Sequence, residues 1–161
     1  MNDRANKGEI IMDSYEQYVK DCERIRGDNE KLLAEFEKWL SDKKLSPKTI
    51  ANHCDNVEFY IDEFLLYEEA IDASDGVYQI DLFLGFWFIK KAMWASKSSI
   101  KSNATSIKKF YEFMLENDHI DEEAYNELKE EIKTNMQEWL DTMDRYDDPD
   151  IEDMEEVWGL D

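Results

Sequence analysis

Apolar residues near the start of the chain recur at three- and four-residue intervals, the spacing that places side chains on one face of an α-helix. The first stripe consists of Tyr15, Tyr18, Cys22 and Ile25. Gly27 can end this helix in a left-handed turn, and Asp28 can cap a second helix with an apolar stripe over residues 32–40. The pattern therefore predicts two short amphipathic helices in this region.

The segment LSPKTI marks the start of a third helix. Ser46 is placed as its N-cap, and Pro47 takes the first helical position, where a missing backbone N–H costs nothing. Apolar residues keep helical spacing from Ile50 to Leu65. We expect this helix to continue irregularly until a turn at residues 75–76, Asp-Gly.

The fourth apolar segment, residues 79–95, is apolar on nearly every side, which is typical of a central buried helix. Its many Phe and Trp residues also permit a strand. A fifth helix capped by Ser98 or Ser99 and a long sixth helix capped by Asp121 follow, and Pro149 stops the sixth. The fold predicted is an all-α bundle of five to six helices, with an extra N-terminal helix and a long C-terminal helix.

One shared core is expected where the centres of the apolar helical faces meet. With 161 residues and 42% hydrophobic residues, the chain fits one domain that can bury a substantial core. The residues predicted for this core are Trp39, Val57, Phe64, Phe86, Ile107, Tyr111 and Leu128.

Charge is distributed unevenly along the chain. The formal net charge is −21, yet residues 82–111 contain six lysines and no carboxylate. Three of these, Lys97, Lys101 and Lys108, fall within about 40° of one another on the predicted fifth helix. That helix therefore carries a basic stripe on an otherwise acidic protein.

The sequence lacks motifs for catalysis, metal binding and secretion. Two cysteines and two histidines without metal-ligand spacing predict neither a zinc site nor a disulfide framework, so Cys22 and Cys54 are expected as buried free thiols. No Gly-rich phosphate loop is present, and the N-terminal residues lack the features of a signal peptide. The longest apolar run, LFLGFWFI, is far shorter than the ~20 residues of a membrane span. We therefore expect a cytoplasmic, non-enzymatic protein with no metal, no cofactor and no membrane association.

Two motifs, in order, resemble the N-terminal SAM-like domain of tyrosine recombinases, or phage integrases, which is also called the core-binding domain. The first motif is the helix entry formed by Leu45, Ser46, Pro47 and Thr49. The second is the helix that contains Ser98, Ser99, Ile100, Phe110, Tyr111 and Phe113, followed by Ile120. The resemblance covers about residues 30–130. It implies a SAM-like domain over residues 28–146, an N-terminal extension with one helix over 1–27 and an acidic tail over 147–161.

The resemblance also implies DNA binding and a link to DNA recombination or integration, as in a mobile element. In that family the domain clamps DNA opposite a separate catalytic domain, and two of its helices lie across the grooves. The 161 residues of this sequence contain no counterpart of that catalytic domain, so no catalytic residue is carried over. The candidate DNA-binding residues are outward polar positions of the third and fifth helices: Lys48, Asn52, Lys97, Lys101, Ser102, Thr105, Lys108 and Lys109. Because Asp55 and Glu58 stand beside them, binding of double-stranded DNA should be weak and mostly to phosphates.

Two alternatives stay open at this point. In the first, the lysine stripe is only a solvated surface. In the second, the chain is an acidic module that binds a recombinase or another basic protein, or mimics DNA, and does not itself bind DNA. The acidic tail is expected to be disordered, to fold on a partner, or to cover the lysines. Candidate partner contacts are apolar residues off the main helical faces and in the tail: Phe59, Phe113, Ile151, Met154 and Trp158. The oligomeric state is left open.

Overall fold

The computed structural model describes residues 3–159, with the side chains of residues 13–159. The described residues form helices and no strand, which confirms the all-α prediction and excludes the strand alternative for residues 79–95. The α-helices are α1 Asp3–Asp42, α2 Pro47–Glu58, α3 Ile80–Leu82, α4 Phe88–Lys91, α5 Lys97–Glu116, α6 Glu122–Asp147 and α7 Met154–Trp158. Two π-helical segments, Phe59–Phe64 and Phe83–Trp87, and a 3-10 turn, Asp75–Tyr78, lie between them.

Helix α1 runs unbroken through Gly27, so the predicted helix end at this glycine is wrong. Buried side chains continue in phase on both sides of it: Cys22, Ile25, Asn29, Phe36 and Leu40. Because one stripe spans both halves, a single long helix buries it without a change of phase. The division of the chain into residues 1–27, 28–146 and 147–161 stays a prediction.

Replacing Gly27 with Ala should stabilise the protein by about 0.5–1 kcal/mol, because glycine in a helix interior loses more conformational entropy than alanine. A Cβ at Gly27 would meet no atom within 4 Å. Gly76→Ala is a control of opposite sign, since a Cβ there would clash with Leu65 Cδ1 and lie 2.6 Å from the Tyr111 hydroxyl oxygen. Urea unfolding followed by circular dichroism measures both changes. An unchanged free energy of unfolding for Gly27→Ala would contradict the unbroken helix.

One core joins α1, α2, α5, α6 and the central helix, the continuous helical run formed by α3, the segment Phe83–Trp87 and α4. The predicted core residues that are buried are Val57, Phe64, Ile107, Tyr111 and Leu128, and Trp39 is half-buried against them. Phe86 is 37% exposed, so its assignment to the core is wrong. The central helix buries Ile80, Phe83, Leu84, Phe88 and Ile89, which leaves Phe86 on the opposite, outer side.

Two buried tyrosines hold the irregular segment between the first π-helical segment and the central helix. The Tyr60 hydroxyl donates to the carbonyl of Gly76, and the Tyr111 hydroxyl donates to that of Ala73 at 2.7 Å. Each carbonyl also accepts from a backbone N–H, that of Gly76 from Gln79 at 3.1 Å and that of Ala73 from Gly76 at 3.2 Å, so the tyrosines add a second hydrogen bond to each oxygen. The turn predicted at residues 75–76 is confirmed as the start of the 3-10 turn.

The helix starts follow from side-chain caps. Ser46 caps α2 with Pro47 in its first turn, and Asp121 caps α6, as predicted. The cap of α5 is Ser96 rather than Ser98 or Ser99, which is a correction. The Ser96 side chain accepts from the Ser99 N–H at 3.0 Å, and the Ser99 side chain accepts from the Ser96 N–H at 2.8 Å. This reciprocal capping box satisfies two backbone donors at once and so favours the earlier start.

The C-terminal tail folds back on the bundle as far as it is described. Val157 in α7 is 2% exposed, and its carbonyl accepts a hydrogen bond from Arg145 Nε at 2.9 Å. The Trp158 ring lies 4.6 Å from that of Phe86. The expectation of a disordered tail is therefore wrong for residues 154–158, which pack on α6 and on the central helix. None of the described helices combines the length and apolarity needed to cross a membrane.

Candidate nucleic-acid interface

The outer side of α5 carries the residues that the sequence analysis singled out. We define the lysine face as Lys97, Lys101, Lys108 and Lys109 together with Ser102 and Thr105. All are exposed except Lys109, which is half-buried. The buried residues of α5 lie around the opposite side of the helix: Ile100, Asn103, Ala104, Ser106, Ile107, Phe110, Tyr111, Phe113 and Met114. The structure therefore brings the predicted α5 residues together on one surface.

Helix α2 packs beside the lysine face. His53 Nδ1 lies 2.7 Å from Ser106 Oγ, and Asn56 Nδ2 donates to Ser106 Oγ at 3.0 Å and to Ser102 Oγ at 3.2 Å. The exposed Asn52 lies one turn before Asn56 on the same side of α2, and the exposed Lys48 lies one turn earlier again. The predicted residues of both helices thus border one polar seam.

The hydroxyl groups on the lysine face are already partly engaged. Ser102 Oγ accepts from Asn56, and Thr105 Oγ1 donates to the Lys101 carbonyl at 3.1 Å. Each oxygen retains further hydrogen-bonding capacity, because a hydroxyl offers one donor and two acceptor positions. The lysines therefore carry most of the free donor capacity of this surface.

Carboxylates reduce the positive potential at the edges of the lysine face. Lys97 Nζ lies 3.2 Å from Asp144 Oδ1, and both side chains are more than half exposed. Asp55 and Glu58 are exposed on α2. Glu116, in contrast, accepts from Trp39 Nε1 at 2.5 Å and so turns toward α1.

The ion pairs found among the described residues leave three members of the lysine face unpaired. These pairs involve Lys97 but not Lys101, Lys108 or Lys109. An unpaired exposed ammonium group has no competing carboxylate to displace before it contacts an anion. The middle of α5, rather than its first turn, is therefore the part best suited to contact phosphate.

His53 lies in the polar seam between α2 and α5, where nearby charge affects its pKa. Burial lowers the pKa of His53 below its ordinary value, and the positive charge of Lys109 lowers it further. The imidazole is therefore neutral near pH 7, where Nδ1 and the Ser106 hydroxyl share one hydrogen bond.

Lys109→Gln should raise the pKa of His53, because it removes a positive charge that disfavours the imidazolium ion. Titration of the His53 ring resonances by NMR measures the shift, and Lys20→Gln on the exposed part of α1 serves as the control. The pKa of His53 should stay below its ordinary value in the variant, because burial, its larger cause, is unchanged. Equal pKa values of His53 in the parent and in Lys109→Gln would show that Lys109 does not act on the seam.

Two residues predicted as partner contacts belong to the core instead. Phe113 is 2% exposed, and its ring lies 5.7 Å from that of Phe36 on α1, so it offers no partner surface. Phe59 is half-buried, with its ring 5.6 Å from that of Trp87. Both lie off the main faces of their helices, but α1 covers the first and the central helix covers the second. Of the tail candidates, Ile151 and Trp158 are half-buried and Met154 is 49% exposed.

An exposed apolar turn beside the lysine face was not predicted from the sequence. Met93 is 99% exposed and Trp94 is 59% exposed, in the turn between α4 and α5. Both were assigned to a buried helix over residues 79–95, which is wrong because α4 ends at Lys91. The Trp94 ring lies 5.2 Å from that of Phe59, so the turn is held against the core while Met93 points away from it. Ser96, a residue type that favours the N-cap position, was the sequence signal that α5 starts before Ser98.

The remaining reactive groups do not assemble a chemical site. Among the described side chains, no group of His, Cys, Asp and Glu is arranged to hold a metal ion. Cys22 and Cys54 are both free, as predicted; Cys22 is buried and Cys54 is half-buried. Burial, with the negative charges of Glu37, Asp55 and Glu58, raises the pKa of Cys54 to about 11, so its thiol stays protonated near pH 7.

Comparison of the chain with protein-family models, with curated proteins and with solved structures finds no match in any of the three. The resemblance to the core-binding domain therefore rests on the two motifs and stays a prediction.

Proposed function

We propose that this chain is a non-catalytic, stand-alone domain that binds double-stranded DNA weakly through the lysine face and serves DNA recombination or integration. The observation that carries the proposal is the segregation of charge. Lys101, Lys108 and Lys109 stand together on one side of α5 and form no ion pair with another described residue, in a stretch of sequence that holds no carboxylate. The motifs of the core-binding domain supply the link to recombination.

The expected contacts are electrostatic. Lysines beside Ser and Thr hydroxyls bind phosphate oxygens, which position a protein on DNA without selecting a sequence. The exposed Met93 and Trp94 lie in the turn just before the same helix and offer apolar area to the sugar edge of a groove. Repulsion from carboxylates that lie farther from a bound phosphate than the Debye length of about 8–10 Å is largely screened at physiological salt.

Titration with a short labelled duplex at several salt concentrations tests this function. Counterion release predicts that log K falls against log salt with a slope of roughly −2 to −4 for up to four phosphate contacts. Two duplexes of unrelated sequence should bind alike, because phosphate contacts carry no sequence information. Absence of binding at ~50 mM salt would refute the proposal, and cleavage of the duplex or a covalent adduct would refute its non-catalytic part.

The second candidate function is an acidic protein-interaction module that binds a basic protein, such as a recombinase, and does not bind DNA. The net charge of −21 and the exposed Asp55 and Glu58 on α2, beside the proposed DNA surface, favour this alternative. In that case the lysine face is a solvated surface. The same duplex titration separates the two functions.

A further inference from the structure

Two adjoining cavities form one groove on the side of the protein where α1 and the central helix flank residues 66–71. The first, the acidic trough, is a shallow depression open to solvent, with a volume of about 670 Å³, and includes Asp13, Gln17, Asp21, Glu68 and Glu69 in its lining. The second, the aromatic pocket, has a volume of about 300 Å³ and is lined mainly by apolar residues: Phe64, Leu65, Tyr67, Ile71, Leu82, Phe86 and Trp87. Glu68 and Glu69 line both cavities, so the two are continuous.

The aromatic pocket exposes apolar area that the fold itself does not need. Tyr67 is 52% exposed, Leu82 is 53% exposed and Phe86 is 37% exposed. A cluster of large apolar side chains exposed around a cavity is typical of interaction sites in soluble proteins. The wall is firmly held, because Phe64 and Trp87 pack at 5.3 Å between ring centroids and the Tyr18 hydroxyl of α1 donates to the carbonyl of Leu66.

A buried hydrogen-bond donor without a partner lies in the same wall. The indole Nε1 of Trp87 is buried and makes no hydrogen bond within the described structure. Buried polar groups in folded proteins are nearly always satisfied, since an unpaired donor costs free energy. Because the nitrogen is closed off from solvent, a ligand reaches it only if a side chain of the pocket wall moves; a ligand carbonyl oxygen that then accepts from the indole would remove that cost. The backbone of a bound peptide supplies such an oxygen at every residue.

Charge at the groove selects a basic ligand. Four carboxylates line the trough, Asp13, Asp21, Glu68 and Glu69, whereas no Lys or Arg is among the described residues that line either cavity. The protein's own Lys91 and Lys90 lie outside the cavity lining, 5.2 Å from the Tyr67 ring centroid and 5.5 Å from that of Phe86. They already occupy these two rings, so the positive side chains of a ligand belong over the trough and its apolar side chain in the pocket. Trough and pocket together fit a chain that carries positive side chains next to a large apolar one.

We propose that this groove binds a basic segment of another protein, with arginine or lysine side chains over the acidic trough and one large apolar side chain in the aromatic pocket. The inference gives a site and a partner chemistry to the second candidate function, and it uses a surface separate from the lysine face. It therefore stands whether or not the protein binds DNA.

A synthetic fluorescent peptide of about ten residues, with four arginines around a central leucine, is the probe, and its binding to the full chain is followed by fluorescence anisotropy. Glu68→Gln combined with Glu69→Gln should weaken binding about tenfold at low salt, because both carboxylates are exposed and contact the arginines. The matched control, Glu127→Gln combined with Glu130→Gln, removes the same charge from exposed positions of α6 and should leave binding unchanged. Replacing the peptide's leucine by alanine, or its arginines by glutamines, should each weaken binding.

The unpaired indole provides a second readout. Peptide binding should shift the Trp87 Nε1–H proton resonance downfield in NMR spectra, and Trp87→Phe, which identifies that resonance, should weaken binding without loss of the folded spectrum. A peptide that does not bind at ~20 mM salt, or that binds equally to all the glutamine variants, would overturn the proposal. Self-association of the chain that Glu68→Gln with Glu69→Gln abolishes would also overturn it, since a second copy would then be the occupant. Lys101→Glu with Lys108→Glu must not change peptide affinity, which keeps this outcome separate from the fate of the DNA proposal.

Discussion

Phe64→Ala should lower the free energy of unfolding by about 3–5 kcal/mol, the range for truncating a buried phenylalanine. The side chain is 8% exposed, and its ring lies 5.5 Å from that of Tyr60, 5.0 Å from that of Phe83 and 5.3 Å from that of Trp87. Removal of the ring leaves these aromatics without contacts on one side, and the surrounding helices relax only partly into the cavity. Urea unfolding measures the loss, provided that the free energy of unfolding depends on urea concentration with the same slope in both proteins.

Phe86→Ala is the matched control for this prediction. The residue is 37% exposed on the outer side of the same central helix, and its main aromatic contact is the Trp158 ring. Its truncation removes less buried area, so the free energy of unfolding should fall by less than in Phe64→Ala. If Phe64→Ala unfolds at the same urea concentration as the parent, the assignment of Phe64 to the core is wrong.

The elements that were predictable from the sequence are those set by local chemistry. The entry into α2 follows from Ser46 and Pro47, which satisfy the first helical turn without help from the rest of the fold. The cap at Asp121 is equally local, since its Oδ1 accepts from the Ala124 N–H at 2.8 Å. Buried positions such as Val57 and Leu128 followed from periodicity, because an apolar stripe on a helix has to face the core.

Errors arose where tertiary contacts outweighed a local signal. Gly27 is a typical helix end, yet the buried stripe on both sides of it keeps α1 continuous. Phe113 lies off the main apolar face of α5, but α1 supplies a second buried side with Phe36 and Trp39. A helix with neighbours on two sides buries a wider arc than one stripe predicts, and a single sequence does not reveal which neighbours those are.

The candidate sites were also predictable only where a single helix determines the exposure of their residues. The arc of lysines on α5 was predictable, because exposure of Lys101 and Lys108 follows from the apolar face opposite them. The aromatic pocket was not, because Tyr67 lies in the irregular segment after the first π-helical segment, and only the fold brings it beside Leu82 and Phe86 of the central helix. The pairing of Lys97 with Asp144 was likewise invisible, since it depends on α6 running back along α5.

Lys101→Glu combined with Lys108→Glu should abolish duplex binding at ~50 mM salt while the protein stays folded. Both side chains are exposed and lie on the far side of α5 from its buried residues, so reversal of their charge leaves the core intact. Each substitution replaces an attraction to phosphate by a repulsion. It also removes one phosphate contact and the counterion that this contact releases, so log K falls less steeply against log salt. Fluorescence anisotropy of a labelled duplex measures binding, and circular dichroism confirms the helical content.

The control for this double variant is Lys31→Glu combined with Lys38→Glu on α1. These lysines are also exposed and also seven residues apart, so the control has the same net charge and the same spacing on a different helix. It should keep most of the affinity for duplex, because contact with α5 rather than net charge drives binding. Asp144→Asn should act in the opposite direction and tighten binding by about 1.5- to 5-fold, since it frees Lys97 from an exposed ion pair. Equal losses of binding in the two lysine variants would mean that the protein responds only to its net charge, and the lysine face would then have no role as a DNA surface.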